Sequence, residues 1–90
     1  MRKIKIDKKL QKQLDKLFRK DRNRYFIIIK KMEDIEESKN PNHYKNLRGH
    51  LQKYKEVHIN THFVLVFQYI ESTNTIIFCE FCHHKDIFKW

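Results

Sequence analysis

Residues 53–83 read KYKEVHINTHFVLVFQYIESTNTIIFCEFCH. Three runs rich in β-branched and aromatic residues, 53–59, 62–70 and 75–83, are separated by Asn60-Thr61 and by the polar ESTN at 71–74. This pattern predicts three strands with two short connections, the first a tight hairpin turn. The stretches VLVF (64–67) and IIF (76–78) have no polar interruption. A strand that is apolar at successive positions has both faces covered, so the second and third runs are expected at the centre of the sheet.

Upstream, the spacing changes from two to about 3.6. Residues 2–6, RKIKI, alternate charged and apolar side chains as a half-buried strand does. Asp7 stands where a helix N-cap is expected, and Leu10, Leu14, Leu17 and Phe18 follow on one helical face. Asp21 can cap a second helix, whose stripe is Tyr25, Ile28, Ile29, Met32 and Ile35, ending at NPN (40–42). The short KDRN between the two predicts an antiparallel helical hairpin. The expected fold is α+β, in the order β-α-α-β-β-β: a helical hairpin on one face of a small, mainly antiparallel sheet, one domain over residues 1–90. The tail KDIFKW (85–90) is expected to make a helical turn or to finish the last strand.

Composition narrows the function. The chain has 20 Lys+Arg against 11 Asp+Glu, a net charge of +9, and 18 of the basic residues lie within residues 2–55. A surface so positive attracts polyanions, because each neutralised phosphate releases condensed counterions. One Gly and one Pro argue against a disordered chain, and no apolar run approaches the length of a membrane span. The N-terminus lacks the apolar stretch of a secretion signal, so a reduced, cytoplasmic protein is expected. A single Gly also excludes a P-loop, a dinucleotide-binding turn and a Gly-x-Ser-x-Gly elbow.

All six histidines, at 43, 50, 58, 62, 83 and 84, fall in the sheet half. Parity on the 53–59 run places His58 with Tyr54 and Glu56, opposite Val57 and Ile59. If the helices cover Val57, His58 looks out from the open face, and His62 sits just beyond the turn. On the last run His84 shares parity with Cys82 and Phe78, while His83 points the other way. Several histidines on converging strand ends suit general acid–base chemistry on a phosphodiester. Cys79-x-x-Cys82 has zinc-knuckle spacing, but residues i and i+3 of a strand face opposite sides, and no second pair completes a ligand set. The cysteines are therefore expected to be packing residues, with no metal and no other cofactor.

The string HYKNLRGHLQKYKEVHINTHFVLVFQYIESTNTIIFCEFCHHKDIF (43–88) resembles the C-terminal half of toxins of the RelE/ParE superfamily. It is most similar to the YafQ-like branch of RelE-type mRNA interferases. The marks are LRG (47–49), YKEVHI (54–59), FVLVF (63–67) and HKDIF (84–88), and the N-terminal strand and Lys-rich helices fit as well. The resemblance implies a toxin of a type II toxin–antitoxin module: a ribosome-dependent endoribonuclease that cuts mRNA by metal-independent 2′-OH transesterification. Its implied partners are a cognate antitoxin protein, the ribosome with its 16S rRNA, and mRNA; no membrane and no small-molecule cofactor is implied.

By the same resemblance His84 is the general acid and Phe88 the aromatic that orients the scissile nucleotide. His58 is a base or phosphate ligand, and Lys55 and Arg48 hold phosphate. Lys45, His50 and Lys53 complete the basic set expected at the RNA. His62 replaces the acid that the YafQ-like pattern carries after the strand histidine, and Val64 replaces an arginine of RelE. The base therefore stays open among His58, His62 and His50. Two other functions remain at this stage: a ParE-like toxin acting on DNA gyrase without hydrolysis, and a degenerate basic binding module.

Overall fold

A computed structural model describes the backbone of residues 2–89 and the side chains of residues 2–87. Strands β1 (Lys3–Ile6), β2 (Lys55–His58), β3 (Phe63–Ile70) and β4 (Thr75–His83) form one sheet in the order β1-β4-β3-β2. Helices α1 (Lys8–Lys20) and α2 (Arg22–Glu37) lie in the chain between β1 and β2. The expected α+β order is the one found, and the uninterrupted apolar runs occupy the two central strands. β2–β3 and β3–β4 pair antiparallel, whereas β1 joins β4 in parallel.

The helical stripes explain how the first layer forms. Leu10 and Leu14 of α1 and Ile28, Met32 and Ile35 of α2 are buried against Leu65, Phe67, Ile76 and Phe78 of the sheet. Burial of each large apolar side chain contributes roughly 1.5–3 kcal/mol. The other side of the sheet has its own smaller cluster, Val64, Val66 and Cys79 beneath Leu47 and Ile87. Alternate residues of β3 thus serve opposite layers, which is why VLVF needs no polar position.

Local details depart from the sequence reading in four places. The expected KDRN connection shrinks to Asp21 alone, whose backbone N–H closes α1 on the Leu17 carbonyl at 2.7 Å. Its Oδ1 accepts from the Arg24 N–H at 3.1 Å, capping α2. Asp7 occupies the N-cap of α1, but its side chain accepts no capping hydrogen bond. β1 is not half-buried: it lies at one edge of the sheet and all four of its residues are exposed. The β2–β3 turn is wider than two residues, running through Ile59 to His62, with Asn60 Oδ1 accepting from the N–H groups of His62 (2.9 Å) and Phe63 (3.0 Å).

Arg2, outwardly one more surface cation, ties the ends of several elements together. Its Nη1 donates to the carbonyls of Glu36 (2.7 Å) and Ser38 (2.8 Å), satisfying groups at the C-terminus of α2. Its Nε donates to Asn74 Oδ1 at 3.1 Å. Asn74 holds φ +51° in the β3–β4 turn, a conformation that Asn tolerates better than most residues.

β4 contains one irregularity that matters for the site. Val66 pairs with Glu80 and Phe67 with Phe78, so Cys79 is an extra, unpaired residue: a β-bulge. Beyond β4 the chain turns through a short 3-10 helix, His84–Lys89, the helical alternative of the two expected for the tail.

Candidate active site: a cleft on the loop-covered face

β2 aims its side chains by simple alternation. Lys55 and Val57 lie opposite Phe67 and Leu65, on the helix-covered face, whereas Glu56 and His58 lie opposite Val66 and Val64 on the other. Val57 packs against the main core, so His58 does look out from the face away from the helices. A cleft of about 430 Å³ opens there, lined by Lys45, Arg48, Glu56, His58, Thr61 and His84 over an apolar floor that includes Leu47 and Ile87.

The loop that forms one wall is held like a fifth strand. The Leu47 N–H donates to the Tyr54 carbonyl at 2.9 Å, and the Glu56 N–H donates to the Lys45 carbonyl at 3.0 Å. Leu47 is buried, so the chain on either side of it is pinned and Arg48 is carried to the cleft. Gly49 then takes φ +63°, a left-handed conformation that costs L side chains energy, and turns the chain into the 3-10 turn Gly49–Leu51.

Lys55 does not serve the cleft as the resemblance implied. It is buried, and its ammonium donates to the carbonyls of Asn42 (3.3 Å) and Tyr44 (3.2 Å) and to Asn46 Oδ1. Desolvation lowers its pKa. Strand parity puts it on the helix side of β2, so it fastens the loop rather than meeting phosphate. The lysine that does reach the cleft is Lys45, with Nζ 3.8 Å from Glu56 Oε1.

The remaining expected residues divide by position. His50 and Lys53 are exposed and do not line the cleft, and the Lys53 ammonium lies 5.2 Å from the Tyr54 ring centroid. His62 is exposed at the rim, next to Thr61. The side chain of Phe88 lies outside the described residues. Glu56 went unremarked as a site residue, although its i, i+2 relation to His58 was the signal that both share one face.

Cys79 and Cys82 do not part company as strand parity required. The bulge adds one residue between them, so both pack into the smaller cluster on the cleft side. The same shift breaks the expected alignment of His84 and Cys82 with Phe78, which stays in the main core. Burial pushes the Cys79 thiol up to about 12 and the Cys82 thiol to about 11, so both are protonated packing groups.

Three histidines gather where β3 begins and β4 ends. The Phe63–His83 pairing brings His62 beside His84, whose N–H donates to the His62 carbonyl at 2.8 Å. His84 Nδ1 donates to that same carbonyl at 3.1 Å, fixing the ring with Nε2 free for proton exchange. Ring centroids of His83 and His84 lie 4.6 Å apart, and those of His62 and His83 5.6 Å. His83 is held below the ordinary imidazole value, first by desolvation and then by the positive potential of His84, His62 and Lys85, with Asp86 opposing.

A basic cleft with two imidazoles can bind a phosphodiester and exchange protons with it. No family model matches the chain. A candidate RelE-type toxin of Methanocaldococcus jannaschii, RelE4, is 47% identical over 89 residues, covering 99% of this chain and 93% of the relative. A metal-bound toxin from Helicobacter pylori has a TM-score of 0.74 at 25% identity, covering 98% of this chain and all of that one. The YoeB–YefM complex of Staphylococcus aureus gives 0.74 at 15% identity (93% and 98% covered), and YafQ of E. coli gives 0.67 at 15% (98% and 99% covered). Below 25% identity these last two speak for the fold alone; with the 47% relative, the chain belongs to the RelE/ParE toxin superfamily.

Proposed function

We propose that this toxin is an endoribonuclease that cleaves mRNA on the ribosome and is neutralised by a cognate antitoxin. The observation that carries this reading is that His58 and His84 line one cleft together with Lys45 and Arg48. His58 accepts the proton of a ribose 2′-OH, and the oxygen attacks the adjacent phosphorus. The bond from phosphorus to the 5′-oxygen breaks as His84 Nε2 delivers a proton to that oxygen, leaving a 2′,3′-cyclic phosphate. Arg48 and Lys45 hold the non-bridging oxygens while negative charge builds on them. His58 is preferred as base over His62 and His50 because it alone of the three lines the cleft. Glu56 lies on the same face of β2 as His58, where its carboxylate can stabilise the imidazolium once the proton has moved.

The solved YoeB–YefM complex supports the antitoxin part of this reading, and a reaction on ribosomes would take place in the cytoplasm. Among the described residues no helix is long and apolar enough to cross a membrane.

The test is to express the chain in a translating extract and map mRNA 5′ ends. Wild type is expected to cut within codons only when ribosomes are present, and His84→Ala to lower cleavage by about 10²–10⁴-fold. Unchanged cutting by His84→Ala sinks the acid assignment. Intact mRNA accompanied by gyrase-dependent DNA breaks selects the ParE type of action instead.

A further inference from the structure

We propose that His62, His83 and His84 form a transition-metal site of the zinc class at the mouth of the cleft. One ring nitrogen from each lies within 4.8 Å of the other two. Zinc takes imidazole nitrogens at about 2.0–2.1 Å, which sets neighbouring ligands of a tetrahedron roughly 3.4 Å apart. The longest gap therefore closes by about 1.4 Å at most, within reach of side-chain rotation for rings that are exposed or half-buried. Water supplies the fourth ligand of such an open site.

The surroundings of the rings agree with this use. His84 donates its Nδ1–H to the His62 carbonyl, the outer hydrogen bond that typically fixes the tautomer of a metal-bound histidine and leaves the Nε2 lone pair for the ion. His83 is the ligand that must adapt. Its Nδ1 accepts from the Lys85 N–H at 3.2 Å, so ligation through Nε2 moves its proton to Nδ1 and hands that amide to water. Imidazole ligands select zinc, copper or nickel over magnesium and calcium, which prefer oxygen. Cys79 and Cys82, buried in the smaller cluster, are not part of the set.

The site shares His84 with the cleft, so a bound ion takes the imidazole that the proposed reaction uses as its acid. That consequence alone rests on the nuclease reading; metal binding does not, and its test contains no RNA. The purified full chain is titrated with Zn²⁺ against a competing chelating dye, while the imidazole carbon-bound proton signals are followed by NMR. One equivalent is expected to bind, moving the ring signals of His62, His83 and His84 together and leaving His43 in place. His62→Asn and His83→Asn are each expected to weaken binding at least about 10-fold, and His43→Asn not at all. Absence of saturable binding overturns the site. So does an affinity in both ligand variants equal to that of the unsubstituted chain, or equal competition by Mg²⁺. Should either variant misfold, the ring signals of the unsubstituted chain still identify the ligands.

Discussion

The two faces of the sheet divide the work of the molecule. Under α1 and α2, nine buried apolar side chains form the main core, and the one buried lysine on that face, Lys55, spends its ammonium on loop oxygens. On the other face five smaller buried residues support a loop and a 3-10 turn, and polar and basic groups begin at once beside them. The same strands build both, because successive residues point to opposite sides. Stability is therefore concentrated on one face and the proposed chemistry on the other, and substitutions on the two faces should separate the two properties.

The largest break in that comparison comes from Phe67, fully buried beneath the helices. Phe67→Ala is expected to cost about 3–5 kcal/mol in urea unfolding, a large part of the stability of a small domain. Val64→Ala, on the same strand but the opposite face, removes fewer buried atoms and should cost clearly less. Equal losses would mean that the smaller cluster is as critical as the main core. Lys55 sharpens the boundary between the faces. Lys55→Met keeps the stem but strands three oxygen acceptors, so a loss of roughly 1–3 kcal/mol is expected. Loosening of loop 42–47 should show as faster amide exchange at Leu47 and Glu56, whose N–H groups pin it.

The smallest effect concerns the cysteines. With thiols raised to about 12 and about 11 from 9.0, alkylation at pH 8 should be about 1,000-fold slower at Cys79 and about 100-fold slower at Cys82 than in the urea-unfolded chain. The sign for stability follows: between the unfolded and folded values the native state holds the extra protons. The contribution of the two thiols is thus constant below about pH 9 and falls as pH rises beyond it. Rapid native labelling of Cys82 would place it in the cleft rather than in the packing beneath it.

Much of this organisation is legible in the sequence, because periodicity reports burial directly. Leu10 and Leu14, the α2 stripe and the bounds of β4 all follow from spacing. Parity also found the outward face of His58. Parity failed at β4, since a bulge leaves no mark in a run such as IIFCEFC and reverses every later assignment. Lys55 and Arg2 were opaque for another reason. A lysine and an arginine in a basic chain look like surface charge, and only the carbonyls gathered around them show otherwise. The meeting of His62 with His83 and His84 depends on the register of β3 against β4, which composition cannot supply.

The parallel pairing of β1 with β4 has a consequence for synthesis. Lys3 and Ile6 find their partners in Thr75 and Phe78, and β4 must slot between β1 and β3 before the sheet is whole. The first strand made therefore waits for the last one, a long-range closure of the kind that folds slowly. The strand that completes the sheet also delivers His83 and leads into His84. Until β4 has left the ribosomal exit tunnel, a nascent chain lacks both its complete sheet and the meeting of His62 with His83 and His84.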